Sequence, residues 1–166
     1  VRALGVEFDQ PVAVLHANRV VACSPAARAN GVSRGLRRRE AQGRCPDLDI
    51  RARDLVAEAR AFEEVVAAVE SIAPLVEVTR PGRCAVPTKG PSRYFGGDRA
   101  LADEVVTRVD EALGGVGSGV RVGVADGVFA AGLAGRSVRG GILEPLVVPA
   151  TESAEFLAPH HVSTLD

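Results

Sequence analysis

Apolar residues recur along this chain at two spacings, one typical of helices and one typical of strands. Within 54–72 they fall on one face of a helix, charged residues lie opposite, and Asp54 is placed to cap the start. A second amphipathic pattern covers 98–113 and ends at Gly114-Gly115. The two predicted apolar stripes are Leu55, Ala59, Phe62, Val66 and Val69, and then Leu101, Val105, Val109 and Leu113.

Short β-branched and apolar runs predict strands around these two helices. The predicted strands cover 11–15, 19–24, 49–52, 75–79, 84–86, 120–125 and 146–148. Shorter helices are predicted at 25–30, 126–136 and 152–157, and Ser24 before Pro25 has the pattern of a helix N-cap. We expect one mixed sheet that carries 12–14, 20–23, 75–78, 85–86 and 120–124, with both long helices on one face.

The stretch over 73–98 lies at the centre of this pattern. Two apolar runs flank Arg80-Pro81-Gly82-Arg83, which indicates β-segments joined by a Pro-Gly turn, and a third short segment over 92–95 ends at Gly96-Gly97. The only acidic residue over 75–97 is Glu77, whereas several basic residues follow it. A two-metal phosphoryl-transfer site needs closely spaced carboxylates, so this stretch does not have the composition of one.

Composition limits the class of protein. The chain has 166 residues, 46% hydrophobic and 25% charged, with a net charge of −1, which is ordinary for a globular protein of one domain or slightly more. Its three cysteines lack CxxC spacing and predict a reducing compartment without a zinc site. No apolar run reaches membrane-span length and no signal peptide is visible, so we expect a cytoplasmic protein. The first residue is Val, so we expect a fragment of a longer chain.

The most basic segment is 31–45, GVSRGLRRREAQGRC. If 35–44 is helical, four arginines share one face: Arg34, Arg37, Arg38 and Arg44. Such a face is a solvated surface, a contact for nucleic-acid phosphates, or a dock for an acidic partner. Two other patterns carry less chemistry. His160-His161 has no third metal ligand nearby, and the glycine-rich run over 114–119 lacks the lysine of a phosphate-binding loop.

Four short motifs follow one another with a specific order and spacing: Ala27-Arg28-Ala29-Asn30-Gly31-Val32, Gly35-Leu36, Glu40-Ala41 and Cys45-Pro46-Asp47-Leu48. In that order and spacing they resemble the fingers pattern of the Y-family DNA polymerases, which act in translesion synthesis. The run over 73–77, APLVE, with its following strand resembles the palm. Tyr94-Phe95-Gly96-Gly97 and the run over 78–84, VTRPGRC, resemble the ImuB-type branch of non-catalytic homologues in bacterial mutagenesis cassettes.

The resemblance implies an altered site. The acidic pair of the family falls on Gly82 and Arg83, and its two lysines fall on Val128 and Gly132. Pro25 stands where the family has a tyrosine that touches the incoming triphosphate, whereas Arg28 matches its triphosphate-contacting arginine. The only candidate for the family's first metal-binding Asp lies in Glu7-Phe8-Asp9, outside a strand context. We therefore expect no catalytic residues, no metal and no cofactor.

The implied fold class is α+β, a ferredoxin-like palm with a small helical fingers insertion. We assign 1–24 to the N-terminal part of the palm, whose first strand is missing, and 25–52 to a fingers-like subdomain. The palm continues over 53–143, and 144–166 resembles the lead into a thumb that is absent.

The implied function is that of an inactive polymerase homologue that acts as an adaptor in damage-induced mutagenesis. Relatives of this kind link an error-prone C-family DNA polymerase, a RecA-like accessory protein and the sliding clamp, mostly through regions outside this fragment. DNA is a further candidate partner of this chain. We expect no contact with membranes. Two alternatives remain at this point: an active translesion polymerase fragment, and a small nucleotide-binding α/β domain of other ancestry.

Overall fold

The computed structural model describes residues 9–115, 119–138 and 144–161. The chain divides into two compact units, Val1–Phe62 and Glu63–Asp166. Among the described residues, every helix is too short or too polar to cross a lipid bilayer.

The first unit is built around a buried hairpin. Strand β1 (Val12–His16) pairs antiparallel with β2 (Arg19–Cys23), and β3 (Asp49–Ala52) pairs parallel on the other side of β1, giving the order β2-β1-β3. Ala17 and Asn18 form the two-residue loop, and both have positive φ values (46° and 62°), as tight hairpin loops with the right strand twist require. The first four residues of β1 are buried, which explains their continuous apolar run.

Two short helices connect β2 to β3 and cover this sheet. Helix α1 covers Pro25–Ala29 and α2 covers Arg38–Arg44. Their buried residues join strand residues in one core: Ala13, Leu15, Val20, Ala27, Val32, Ala41, Cys45 and Leu48. The parallel pairing of β1 with β3 depends on this helical crossover, because parallel strands cannot be joined by a tight turn.

Helix α3 (Leu55–Glu70) begins in the first unit and ends in the second. Asp54 caps its start, since its Oδ1 accepts hydrogen bonds from the backbone N–H groups of Val56 (3.0 Å) and Ala57 (2.9 Å). The predicted helix over 54–72 is confirmed to within two residues at its C-terminal end.

The second unit contains two small sheets and four further helices among its described residues. Strands β4 (Glu77–Arg80) and β5 (Arg83–Ala85) pair antiparallel, and β6 (Gly123–Val124) pairs parallel with β7 (Leu146–Val147). The helices are α4 (Pro91–Phe95), α5 (Asp98–Ala112), α6 (Val128–Ser137) and α7 (Ser153–Leu157).

Helix α6 packs unusually closely on β6. A Cβ atom on Gly123 would overlap the backbone of Ala131 and Gly135 and lie 2.9 Å from the carbonyl carbon of Ala134. Only glycine fits at this position, so the strand backbone touches the helix backbone directly. The alanine and glycine residues of this helix allow the approach.

The prediction of one mixed sheet is wrong for the described residues, which form three separate sheets. Two physical features separate them. All four residues of β4 are exposed, so this strand has no buried face that would favour its addition to a larger sheet. The predicted strand over 120–125 shortens to two residues where Gly123 meets α6, and so few residues provide few ladder hydrogen bonds.

One other local prediction needs correction. The predicted helix over 35–44 begins only at Arg38, because Gly35 has a φ of 92° that no helix allows and Arg37 is extended as the N-cap residue. The short segment over 92–95, which had no assigned element, lies in helix α4, which Pro91 starts and Gly96 ends in a left-handed conformation. The division into palm and fingers stays a prediction, although 12–23 and 49–52 share one sheet.

Candidate functional site

The turn between β4 and β5 contains Gly82 and Arg83, the two positions at which the resemblance implies an acidic pair. Arg80 and Arg83 face each other as partners across the two strands, and Pro81 and Gly82 occupy the turn itself. Gly82 has a φ of 87°, the conformation that a type II turn requires after proline. The backbone conformation of the turn therefore favours glycine at position 82.

The side chain of Arg83 extends from this turn to helix α6. A Cβ atom on Gly132 would overlap Nη2 of Arg83 and lie 2.8 Å from its Cζ. The guanidinium group thus occupies the space that a side chain at position 132 would need. Two positions that the sequence singled out separately, Arg83 and Gly132, are brought into direct contact.

Within the described part of the chain, neither arginine of the turn has a counter-charge. Among the described residues, the side chains of Arg80 and Arg83 make no ion pair and no hydrogen bond; the one bond at Arg83 comes from Thr79 Oγ1 to its backbone carbonyl, at 3.2 Å. Like charges directly opposite each other in a sheet are destabilising. The turn therefore concentrates positive charge that the described part of the chain does not neutralise.

A divalent metal does not fit the residues at this turn. A pair of Mg²⁺ ions needs carboxylate oxygens, and the two motif positions offer a glycine without a side chain and an arginine that carries only donors. Within 9–115, 119–138 and 144–161, no three His, Cys, Asp or Glu side chains are close enough to hold a metal ion.

Two acidic residues make hydrogen bonds that connect elements of the second unit. Asp126 Oδ2 accepts from the backbone N–H of Thr151 at 2.6 Å, and the backbone N–H of Asp126 donates to Ser153 Oγ at 2.9 Å, so this residue connects β6 to the start of α7. Asp98 accepts a hydrogen bond from the Ser92 hydroxyl and thereby connects α4 to α5. Glu77 is exposed on β4.

Arg28, the phosphate-contact candidate, lies exposed in the last turn of α1. Pro25 occupies the first turn of the same helix, a position at which proline is well tolerated. Burial raises the pKa of the Cys23 thiol, and the positive charge of Arg28 opposes that rise. Burial alone raises the pKa of Cys84.

The four basic candidates of the fingers region are all exposed, but they are not equivalent. Arg44 donates to the Gly31 carbonyl at 2.7 Å, and Arg37 forms a backbone bridge with Arg19 and caps α2. Arg34 and Arg38 have no side-chain partner among the described residues.

Arg39 was not singled out from the sequence and has the same properties as Arg34 and Arg38: it is exposed and unpaired within the described part of the chain. The helical-wheel argument excluded it because neighbouring residues lie about 100° apart around a helix axis, which places Arg39 away from the face that holds Arg38.

Charge is distributed unevenly between the two units. The sequence of Val1–Phe62 contains eleven arginines and seven acidic residues, a net charge of +4. That of Glu63–Asp166 contains nine basic and fourteen acidic residues, a net charge of −5. The overall charge of −1 conceals this separation, and the basic unit is the one whose surface suits nucleic-acid phosphates.

Val128 and Phe129 lie at the start of α6 with 47% and 40% of their surfaces exposed. Position 128 is therefore accessible. It carries an apolar side chain, whereas the resemblance implies a lysine at this position. Together with Gly132, this leaves the exposed start of α6 without a basic residue of its own.

Known structures share this fold. The insertion ternary complex of Dbh DNA polymerase matches with a TM-score of 0.74 and 17% identity over 98% of this chain and 48% of that one. Another Dbh ternary complex gives 0.72 and 18% over 94% and 46%, and DinB from Sulfolobus solfataricus gives 0.69 and 18% over 89% and 43%. No curated protein sequence matches significantly. The chain spans about half the length of these polymerases.

The fold is thus a mixed α+β fold that matches a palm-like part of Y-family DNA polymerases, as predicted. The model of the impB/mucB/samB family matches residues 6–136, most of the chain. The protein belongs to the impB/mucB/samB family and is a Y-family polymerase-related chain. Membership excludes the alternative of a nucleotide-binding domain of other ancestry.

Proposed function

We propose that the protein is a catalytically inactive member of this family, of the ImuB type, and acts as an adaptor in bacterial damage-induced mutagenesis. The observation that carries the proposal is the contact of Arg83 with Gly132. An arginine side chain fills a place where a metal-dependent polymerase would need carboxylates and metal ions, and Gly82 beside it is committed to a tight turn.

The proposal combines several losses. In phosphoryl transfer most of the rate comes from positioning and from charge neutralisation by metal ions and basic side chains. Positions 82 and 83 lack carboxylates, and positions 128 and 132 lack basic side chains. Replacing one such group reduces turnover substantially, and losing all four removes the electrostatic basis of the reaction.

As an adaptor, the protein would act by contact with partners. The partners proposed from its resemblance to the ImuB branch are an error-prone C-family DNA polymerase, a RecA-like accessory protein and the sliding clamp. DNA is a further proposed partner, through the basic unit Val1–Phe62 and its unpaired arginines Arg34, Arg38 and Arg39. The cytoplasm, where these partners act, is the proposed location.

The alternative with a specific observation in its favour is an active translesion polymerase, because the structural neighbours are described as DNA polymerases. That alternative requires carboxylates. Glu77 and Asp126 are the candidates, and Asp126 already bonds the backbone at Thr151. The two functions therefore differ in whether Glu77 is needed.

Genetic complementation tests the proposal. Deleting the gene should lower the frequency of damage-induced mutations, and both the wild-type gene and Glu77→Gln should restore it. Because Glu77 is exposed on β4, this change removes a carboxylate without disturbing a buried contact. An unchanged mutation frequency in the deletion strain, or failure of Glu77→Gln to restore it while the variant protein accumulates normally, would contradict the adaptor function.

A further inference from the structure

We propose that Arg80 and Arg83 form a metal-independent binding site for phosphate groups at the β4–β5 turn, beside helix α6. This site does not depend on the adaptor proposal, since a polymerase homologue with or without activity could carry it. In this account, the place at which a metal-dependent relative would gather cations binds an anion directly.

The first observation is the pairing of the two arginines. They are Cα partners across the antiparallel strands, so their side chains leave the sheet on the same face. Two cations in this arrangement repel each other, and within the described residues no carboxylate pairs with either one. A bound anion would turn that repulsion into two favourable interactions.

The second observation is the contact between the Arg83 side chain and Gly132. The guanidinium group lies against the helix backbone in a space that any larger residue at position 132 would fill. Arg83 is half-buried, and a cation that leaves water without a counter-charge costs free energy. Its planar group lies at this contact, and its N–H donors have no acceptor among the described side chains, so the donors are available to a ligand.

The geometry favours phosphate over carboxylate. A guanidinium group binds either anion through two parallel hydrogen bonds, but one such bond pair uses both oxygens of a carboxylate. A phosphate group offers three strong acceptor oxygens and is able to accept from two guanidinium groups at once. The ligand is therefore a phosphate ester or polyphosphate, and its source is either the backbone of a nucleic acid or a free polyphosphate such as a nucleotide.

Calorimetric titration of the intact protein in excess EDTA tests this site, with sodium tripolyphosphate as one probe and a single-stranded oligothymidylate as the other. Binding of the first identifies a free polyphosphate as the source, and binding of the oligonucleotide alone identifies a nucleic-acid backbone. Arg83→Gln should weaken binding at least about tenfold, because a hydrogen bond to a charged group is lost. Arg93→Gln, at an exposed arginine on α4, is the charge-matched control and should leave the affinity unchanged.

A second variant keeps both charges. Gly132→Ala should weaken binding because its methyl group displaces the Arg83 guanidinium, whereas Gly43→Ala, where nothing lies within 4 Å, should not. Alanine is favoured over glycine inside a helix, so Gly132→Ala keeps the test valid if Arg83→Gln fails to fold. The proposal is overturned if neither phosphate probe binds, if only an acidic peptide such as polyglutamate binds, or if both Arg83→Gln and Gly132→Ala bind as tightly as the wild type.

Discussion

At the scale of single residues, the β4–β5 turn shows two different reasons for a residue's identity. Gly82 is required by the backbone, because its φ of 87° lies in the left-handed region that favours glycine. Arg83 makes a contact with a residue far along the chain, because its guanidinium group occupies the space that a side chain at Gly132 would take. A carboxylate residue at position 82 would have to adopt this left-handed conformation.

Replacing Gly82 by alanine should expose the backbone requirement. Gly82→Ala is expected to destabilise the protein by about 1–2 kcal/mol, the cost of a left-handed conformation for a residue with a Cβ atom. Gly43→Ala is the matched control, because Gly43 lies in helix α2 with open space around it and should gain up to about 1 kcal/mol. Urea unfolding followed by circular dichroism compares the two, and equal midpoints would contradict the assigned turn.

The sequence could predict half of this turn. Proline followed by glycine between two apolar runs identifies a turn by its chemistry, and the resemblance identified positions 82, 83, 128 and 132 as altered. The contact between Arg83 and Gly132 was not predictable, because nothing in a single sequence relates a strand arginine to a helical glycine across the unit. Only the fold brings them together.

At the scale of elements, the polar group that organises the first unit is the hydroxyl of Ser24. Its Oγ accepts from the backbone N–H groups of Ala27 (3.1 Å) and Val12 (3.0 Å) and donates to the Gln10 carbonyl (2.7 Å). One buried side chain thus caps α1 and fixes the start of β1. The N-cap role was predicted from Ser24-Pro25 and is confirmed, whereas the bond to β1 needed the fold.

Removing this hydroxyl should be costly. Ser24→Ala leaves two buried N–H donors and one carbonyl without their partner, so we expect a loss of about 2–4 kcal/mol in the free energy of unfolding. Ser71→Ala removes a single exposed bond to the Ala68 carbonyl and should cost less than about 0.5 kcal/mol. Comparable losses for the two variants in thermal unfolding would contradict the role of Ser24.

The basic segment shows how a helix boundary changes a predicted surface. The 3.6-residue period groups Arg34 with Arg37, Arg38 and Arg44 only if the helix begins at Gly35. A single capping hydrogen bond, in which Glu40 accepts from the Arg37 backbone N–H at 2.7 Å, accompanies a later start at Arg38. Arg34 therefore lies on the preceding loop.

Salt dependence tests whether these arginines contact DNA. If Arg34 and Arg38 each bind a backbone phosphate, Arg34→Ala with Arg38→Ala should reduce the slope of log affinity against log salt by about 1.8 on duplex DNA. Arg99→Ala with Arg108→Ala changes the net charge equally, but both are ion-paired on α5, so the slope should stay unchanged. Equal slopes for wild type and both double variants, measured by fluorescence anisotropy, would leave docking of an acidic partner as the role of this segment.

At the scale of the whole molecule, the sequence predicted the fold class better than the sheet connections. The family match and the structural neighbours agree with the mixed α+β fold, because helix periods, turn residues and the fingers motifs are local signals. The continuity of the sheet is not local. It depends on which strand edges meet, and the exposed β4 and the glycine contact at β6 leave three small sheets among the described residues.

The proposed lack of activity also depends on several positions together. Each missing electrostatic element in a phosphoryl-transfer site reduces the rate by about 10²–10³. Gly82→Asp with Arg83→Glu would return carboxylates to the turn, but it would leave positions 128 and 132 without cations and would place aspartate at a left-handed φ. We therefore expect this double variant to be as inactive as the wild type.

Primer extension with the intact gene product, purified free of host polymerases, tests the proposal that the protein does not transfer nucleotides. The reaction is run with Mg²⁺ and with Mn²⁺, beside a catalytic Y-family polymerase that shows the template and nucleotides are competent. The account predicts no template-directed incorporation by the wild type or by Gly82→Asp with Arg83→Glu. Incorporation by the wild type that disappears in Glu77→Gln or Asp126→Asn would contradict it and would identify the protein as an active polymerase with an unconventional site.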